Sequence, residues 1–192
     1  MTYFKELLNI PNLLSLYRLI ISFLLPFLWI NQASSHLIYF LLISGVLSDT
    51  LDGNLARLLK QKTKLGKILD PVADKCFINM LFFLFYWEKK ISLKFLSIIF
   101  LRDIFIILGG LYLLKRGFKL YQLSPTLLGK SSTVFQLLSL IALFTHYNIK
   151  EFPSLLIDLI LKITIFFTLA SGFHYIIIFK RLCQYSIPHK LQ

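Results

Sequence analysis

Long apolar runs, separated by short polar clusters, set the pattern of this chain. They fall at about 13–30, 36–56, 71–87, 92–114, 124–146 and 153–179, each close to the roughly 20 mostly apolar residues that carry a helix across a bilayer. The pattern predicts an all-α integral membrane protein, a bundle of six transmembrane helices. Residues 1–11 mix apolar and polar positions ahead of Pro11 and suit a short N-terminal interfacial helix. The connections are short, as in a tight helical bundle, and no internal repeat or low-complexity tract interrupts them. Residues 1–192 are therefore read as a single membrane-embedded domain.

Composition agrees. Hydrophobic residues make up 57% and charged residues 16%, with a mean hydropathy of +0.73, whereas a soluble domain carries about 25% charged residues. A cytosolic globule and a disordered chain are both excluded. The net charge of +12 would raise nucleic acid as a partner for a soluble protein, but here basic loops hold orientation and contact anionic lipid. No nucleic-acid partner is expected. Cys76 and Cys183 offer neither metal spacing nor a disulfide framework. The first residues, Met-Thr-Tyr-Phe-Lys-Glu, lack the basic and small-residue features of a cleaved leader.

Basic residues also orient the bundle. Lys5, the run from Arg57 to Lys67, the cluster Lys115-Arg116-Lys119, and Lys180, Arg181 and Lys190 fall on one face, against Lys89, Lys90, Lys94 and Lys150 on the other. The positive-inside rule places both termini in the cytoplasm.

Charges within or at the rims of the spans demand a reason, since each costs roughly 2.5–3.5 kcal/mol at mid-helix on insertion scales. Asp49, Asp52, Asp70, Asp74 and Asp103 are the carboxylates concerned, joined by Arg18, Lys75, Arg102 and Lys130. They must face one another or water. Asp49, Asp52, Gly53 and Ala56 lie on one helix face at i, i+3, i+4 and i+7, and Gly66, Asp70 and Asp74 on another at i, i+4 and i+8. With the termini inside, both faces lie at the cytoplasmic end of adjacent spans. Four carboxylates at close range repel unless cations intervene. Hard divalent ions with oxygen ligands, Mg²⁺ or Mn²⁺, suit them, and two ions fit four carboxylates.

The stretch Asp49-Thr-Leu-Asp52-Gly53-Asn-Leu-Ala56-Arg57, followed after eight residues by Gly66 and then by Asp70 and Asp74, resembles the signature of the CDP-alcohol phosphatidyltransferases. The resemblance implies that a CDP-linked lipid gives its phosphatidyl group to an alcohol and releases CMP. It implies that Asp49, Asp52 and Asp70 hold the metals, and that Asp74 both joins that set and acts as general base. Gly53, Ala56 and Gly66 would let the nucleotide lie close, and Arg57 would neutralise the diphosphate. Paired metals neutralise charge in such a displacement, and a carboxylate takes the hydroxyl proton as the bond forms.

The run Asn9-Ile-Pro-Asn12-Leu-Leu-Ser15-Leu-Tyr-Arg18 resembles the start of two branches, the phosphatidylglycerophosphate synthases and the cardiolipin synthases of the same fold. Asn12 and Ser15 are candidates for nucleotide binding or, equally, for a helix N-cap. Arg102-Asp103 stands where the former branch carries Arg-Glu, and no second such pair follows. With Pro125-Thr126, Gly129-Lys130, Thr133 and Gln136, this favours phosphatidylglycerol as acceptor, glycerol 3-phosphate being the alternative. Arg102 and Lys130 would bind an acceptor phosphate, Arg102 having an internal ion pair as its other reading. Asp158 and Lys162 are expected to satisfy each other at i, i+4, and His174 and Tyr175 to anchor at the interface. A prenyltransferase would need two separated Asp motifs in a larger bundle. A divalent-cation transporter, the remote alternative, would place its carboxylates near the midplane. Ser171 and Gly172 would allow the close helix contact of a homodimer. The Lys- and Phe-rich composition suits a bacterium, and hence its inner membrane.

Overall fold

A computed structural model describes residues 9–58, 66–118, 126–148 and 153–185. Six helices account for nearly all of them: α1 Ile10–Ile30, α2 Ser35–Leu58, α3 Gly66–Trp87, α4 Leu93–Lys115, α5 Leu127–Asn148 and α6 Ser154–Tyr185. No strand occurs among the described residues. Four of the six, α1 and α4–α6, are long and apolar enough throughout to cross a membrane. In α2 only His36–Ser48 is uniformly apolar. The rest of α2 and the first turns of α3 carry the charged motif. The protein is thus an all-helical integral membrane protein.

Several boundaries differ from the apolar pattern, for local reasons. Most of the expected interfacial helix, residues 1–8, lies outside the described residues. Ile10 and Pro11 belong to α1 instead, because proline is tolerated in a first helical turn where its missing N–H has no partner to lose. Asn9 caps α1 by backbone position alone, and Asn12 sits inside the helix, buried, so it is not the cap. Helix α3 starts at Gly66 and runs through Pro71, which brings Asp70 onto the same helix as Asp74. Ser92 caps α4, its hydroxyl accepting the Phe95 N–H at 3.2 Å. The last helix continues past 179 to Tyr185, carrying Lys180 and Arg181 outward on an exposed turn.

The chain forms two compact units that divide between Ile91 and Ser92. In the first, α1 packs along both α2 and α3. Its apolar centre is Ile21 and Leu25 of α1, Ile38 and Leu41 of α2 and Phe77 of α3. Gly45 makes this closeness possible, since a Cβ there would lie 2.7 Å from the Phe77 ring. In lipid such tight apposition, rather than escape from water, supplies the attraction between helices. Trp29 Nε1 donates to Glu88 Oε1 at 2.9 Å and ties the far ends of α1 and α3 together.

In the second unit α6 packs against α4 and α5. The α5–α6 seam is lined by buried hydroxyls at helical spacing, Ser132 and Ser139 against Thr164 and Thr168. Ser139 and Thr164 are 2.6 Å apart and Ser132 and Thr168 are 3.3 Å apart. Phe135 stacks on Phe167 at 4.6 Å beside them. The outward faces are apolar, with Leu127, Leu155 and Phe173 exposed, as expected where lipid is the solvent.

Candidate active site

The first unit gathers its polar groups at one end through α1. Asn12, Ser15, Arg18 and Ser22 are all buried and share one face of that helix, three or four residues apart. Deeper along the same face stand the apolar Ile21 and Leu25. Ser15 Oγ donates to Asp70 Oδ1. One turn on, Arg18 Nη1 donates to Asp74 Oδ1 in an ion pair. Arg18 Nε also donates to Ser48 Oγ at 3.2 Å, and that hydroxyl donates to the Gly45 carbonyl at 2.7 Å. Ser48 directly precedes Asp49, so Arg18 links the motif-bearing parts of α2 and α3.

Exposure within the Arg18–Asp74 pair is unequal. The arginine side chain is 1% exposed and the aspartate 40%. The cation is packed behind, and much of the carboxylate stays open. Asp70 is half-buried and Gly66 buried, one helical turn apart from each other along α3. The backbone of α2 is helical through Asp49, Asp52, Gly53, Ala56 and Arg57, but their side chains lie outside the described residues, as do Lys60, Lys62 and Lys64. Among the described residues no three His, Cys, Asp or Glu side chains form a metal-binding group. Two of the four expected carboxylates are described. Asp70 and Asp74 are adjacent on one helix face, each oriented from behind by a hydrogen-bond donor. Their donor chemistry fits a hard divalent ion, since such outer partners commonly fix ligating carboxylates.

The second unit has its own charged cluster. Arg102 Nη1 donates to Asp103 Oδ1 at 2.6 Å, and Nη2 donates to Ser171 Oγ at 2.6 Å and to the Gly129 carbonyl at 3.5 Å. Both members of this ion pair are buried, at 6% and 2%. The guanidinium lies 5.8 Å from the centre of the Tyr175 ring. Among the described residues Arg102 Nε is buried without a hydrogen-bond partner. Thr126 Oγ1 accepts the Gly129 N–H at 3.1 Å at the start of α5, and Tyr175 Oη accepts the Thr126 N–H at 3.3 Å. Lys130 follows in the first turn, exposed.

Two expectations change here. Tyr175 is not a free interfacial anchor but a packed member of the Arg102 cluster. Asp158 and Lys162 are both exposed, and no ion pair joins them among the described residues. Their i, i+4 spacing permits a pair without requiring one. Arg18 is the polar side chain whose part the sequence left unassigned. Its signal was the spacing Asn12, Ser15, Arg18, Ser22, a polar helix face inside an apolar span.

A family model for CDP-alcohol phosphatidyltransferases matches residues 8–173, across both units. The chain belongs to this family. Among its relatives, the CDP-diacylglycerol–glycerol-3-phosphate 3-phosphatidyltransferase of Aquifex aeolicus is 41% identical over 138 residues, covering 70% of this chain and 75% of the relative. The enzyme of that name from Bacillus subtilis is 30% identical over 186 residues, 87% of this chain and 93% of the relative. The rat cardiolipin synthase (CMP-forming) is 28% identical over 182 residues, 87% of this chain but only 60% of the relative. Membership makes the protein a phosphatidyltransferase and sets aside the transporter and prenyltransferase readings.

Proposed function

We propose that the protein transfers the phosphatidyl group of CDP-diacylglycerol to glycerol 3-phosphate and releases CMP, in the cytoplasmic leaflet of a bacterial inner membrane. The observation that carries this reading is the pair of adjacent carboxylates on α3, each held from behind by α1, with Asp74 left open. The choice of acceptor draws on the relatives. Those named for glycerol 3-phosphate reach 41% identity, or cover 93% of the relative's length, and this reverses the order suggested by the Arg102-Asp103 pair.

The residues divide the work as follows. Asp49, Asp52, Asp70 and Asp74 would hold Mg²⁺ or Mn²⁺, two ions in all. Bound there, these would neutralise the diphosphate and the departing CMP. Ser15 and Arg18 keep Asp70 and Asp74 in place. Asp74 takes the proton of the acceptor hydroxyl as that oxygen bonds to the phosphatidyl phosphorus and the bond from phosphorus to the CMP oxygen breaks. Gly53, Ala56 and Gly66 leave room for the nucleotide, Arg57 meets its phosphates, and Asn12 lies on the α1 face that borders them. Lys130, exposed, is the cation assigned to the acceptor phosphate, while Arg102 is taken up by its internal ion pair with Asp103.

Phosphatidylglycerol as acceptor is the second reading, supported by the absence of a second Arg-acid pair in α4 and by the cardiolipin synthase relative. Product analysis distinguishes the two. Purified protein with CDP-diacylglycerol and Mg²⁺ or Mn²⁺ is offered each acceptor separately. Phosphatidylglycerophosphate from glycerol 3-phosphate is the expected product. Cardiolipin from phosphatidylglycerol alone would replace it with the second reading.

A further inference from the structure

We propose that Arg18 is the built-in counter-cation of the acidic helix ends. On this account it is a positioning residue that holds Asp74 in the metal-free protein and opposes the divalent ion electrostatically. This rests on the metal-dependent reading above.

Burial makes Arg18 costly unless its charge is answered. The structure answers it with a carboxylate from α3 and a hydroxyl from α2, next to Asp49. A pair serving only packing would bury both members, as Arg102 and Asp103 do at 6% and 2%. Here the arginine is 1% exposed and the aspartate 40%, so the carboxylate can meet a second cation while Arg18 stays behind it. The neighbouring carboxylate, Asp70, receives a neutral donor, Ser15. The α1 face thus supplies one fixed positive charge behind the two carboxylates of α3.

Opposite effects on binding and turnover follow. Without Arg18 the carboxylates repel more and attract a divalent ion more strongly, but Asp74 loses its anchor. A residue that only packs would do otherwise: its loss would loosen the site and weaken the ion.

The test uses the full-length protein in detergent, stripped with chelator, as wild type, Arg18→Gln, Arg18→Lys and Arg18→Met. Mn²⁺ affinity is read from the spin-resonance signal of the free ion, thermal stability from melting, and turnover from CMP release. Arg18→Gln is expected to melt lower than wild type in chelator and to gain more from Mn²⁺ than wild type does. It should bind Mn²⁺ about threefold or more tightly, with kcat at saturating Mn²⁺ down about tenfold or more and KM for CDP-diacylglycerol changed less. Arg18→Lys, which keeps the charge, should stay near wild type in affinity, and Arg18→Met, which removes the charge at similar length, carries the comparison if the glutamine variant does not fold. Unchanged or weaker Mn²⁺ binding by Arg18→Gln, with the same loss of melting temperature in chelator and in Mn²⁺, would overturn the proposal while leaving the metal reading intact. A wild type that binds no Mn²⁺ would overturn both.

Discussion

Among the described residues each unit buries one arginine against one aspartate, and the two solutions differ. Arg102 and Asp103 are consecutive in α4 and both sealed, with Ser171 and the Gly129 carbonyl sharing the guanidinium. Arg18 and Asp74 come from different helices, and only the arginine is sealed. A sealed pair meets its own electrostatic demand and contributes a fixed arrangement of helices. A half-open pair leaves a carboxylate that remains available. The first unit therefore leaves the Asp74 carboxylate accessible. The second keeps its carboxylate enclosed. An ionisable group inside a membrane protein is a functional candidate by default, and unequal exposure within a pair says which member is offered.

The sharpest way to break this comparison is to neutralise the offered carboxylate. Asp74→Asn should lower CMP release by about 10²–10⁴-fold, the range for losing a general base, with a modest fall in melting temperature, because Arg18 loses its anion while the amide oxygen can still accept from it. The sealed pair should behave the other way. Asp103→Ala leaves Arg102 buried without its anion and should destabilise the protein by about 3–5 kcal/mol, read by denaturation in detergent. Replacing both members by apolar residues, Arg102→Met with Asp103→Leu, should restore much of that loss.

The sequence made some of this legible and concealed the rest. Gly66, Asp70 and Asp74 could be placed on one face because a four-residue step returns to the same side of a helix. The structure starts α3 at Gly66 and keeps them there. Arg18 was visible as an anomaly, yet its partners were not, because Ser48 and Asp74 are 30 and 56 residues away and local spacing says nothing about such distances. Tyr175 was hidden for the same reason, since the Thr126 N–H it accepts is 49 residues away. The pair expected from spacing alone, Asp158 with Lys162, does not form: neighbouring positions on a helix permit an ion pair without requiring one. The seam of Ser132, Ser139, Thr164 and Thr168 has clear helical spacing in each helix, but which hydroxyls meet depends on the register of α5 against α6.

Smaller effects sharpen the contrast further. Ser15→Ala removes the donor behind Asp70 and should weaken Mn²⁺ binding by about 10–100-fold, as loss of an outer partner does, with little change in melting. A neutral donor and a cationic one should therefore differ in sign, since Arg18→Gln tightens the ion and Ser15→Ala loosens it. In the second unit, Ser139→Ala removes one interhelical hydrogen bond and should cost about 0.6 kcal/mol, with CMP release unchanged at saturating substrate.

The central claim is that the open carboxylate of α3, held by α1, is where phosphatidyl transfer takes place. Its most direct test is CMP release from CDP-diacylglycerol by purified wild type and by Asp74→Asn, each assayed well below its melting temperature, with glycerol 3-phosphate and Mn²⁺ present. Steady release by the wild type and a rate lower by about 10²-fold or more for the variant are expected. A variant that keeps the wild-type rate would place the chemistry elsewhere in the chain.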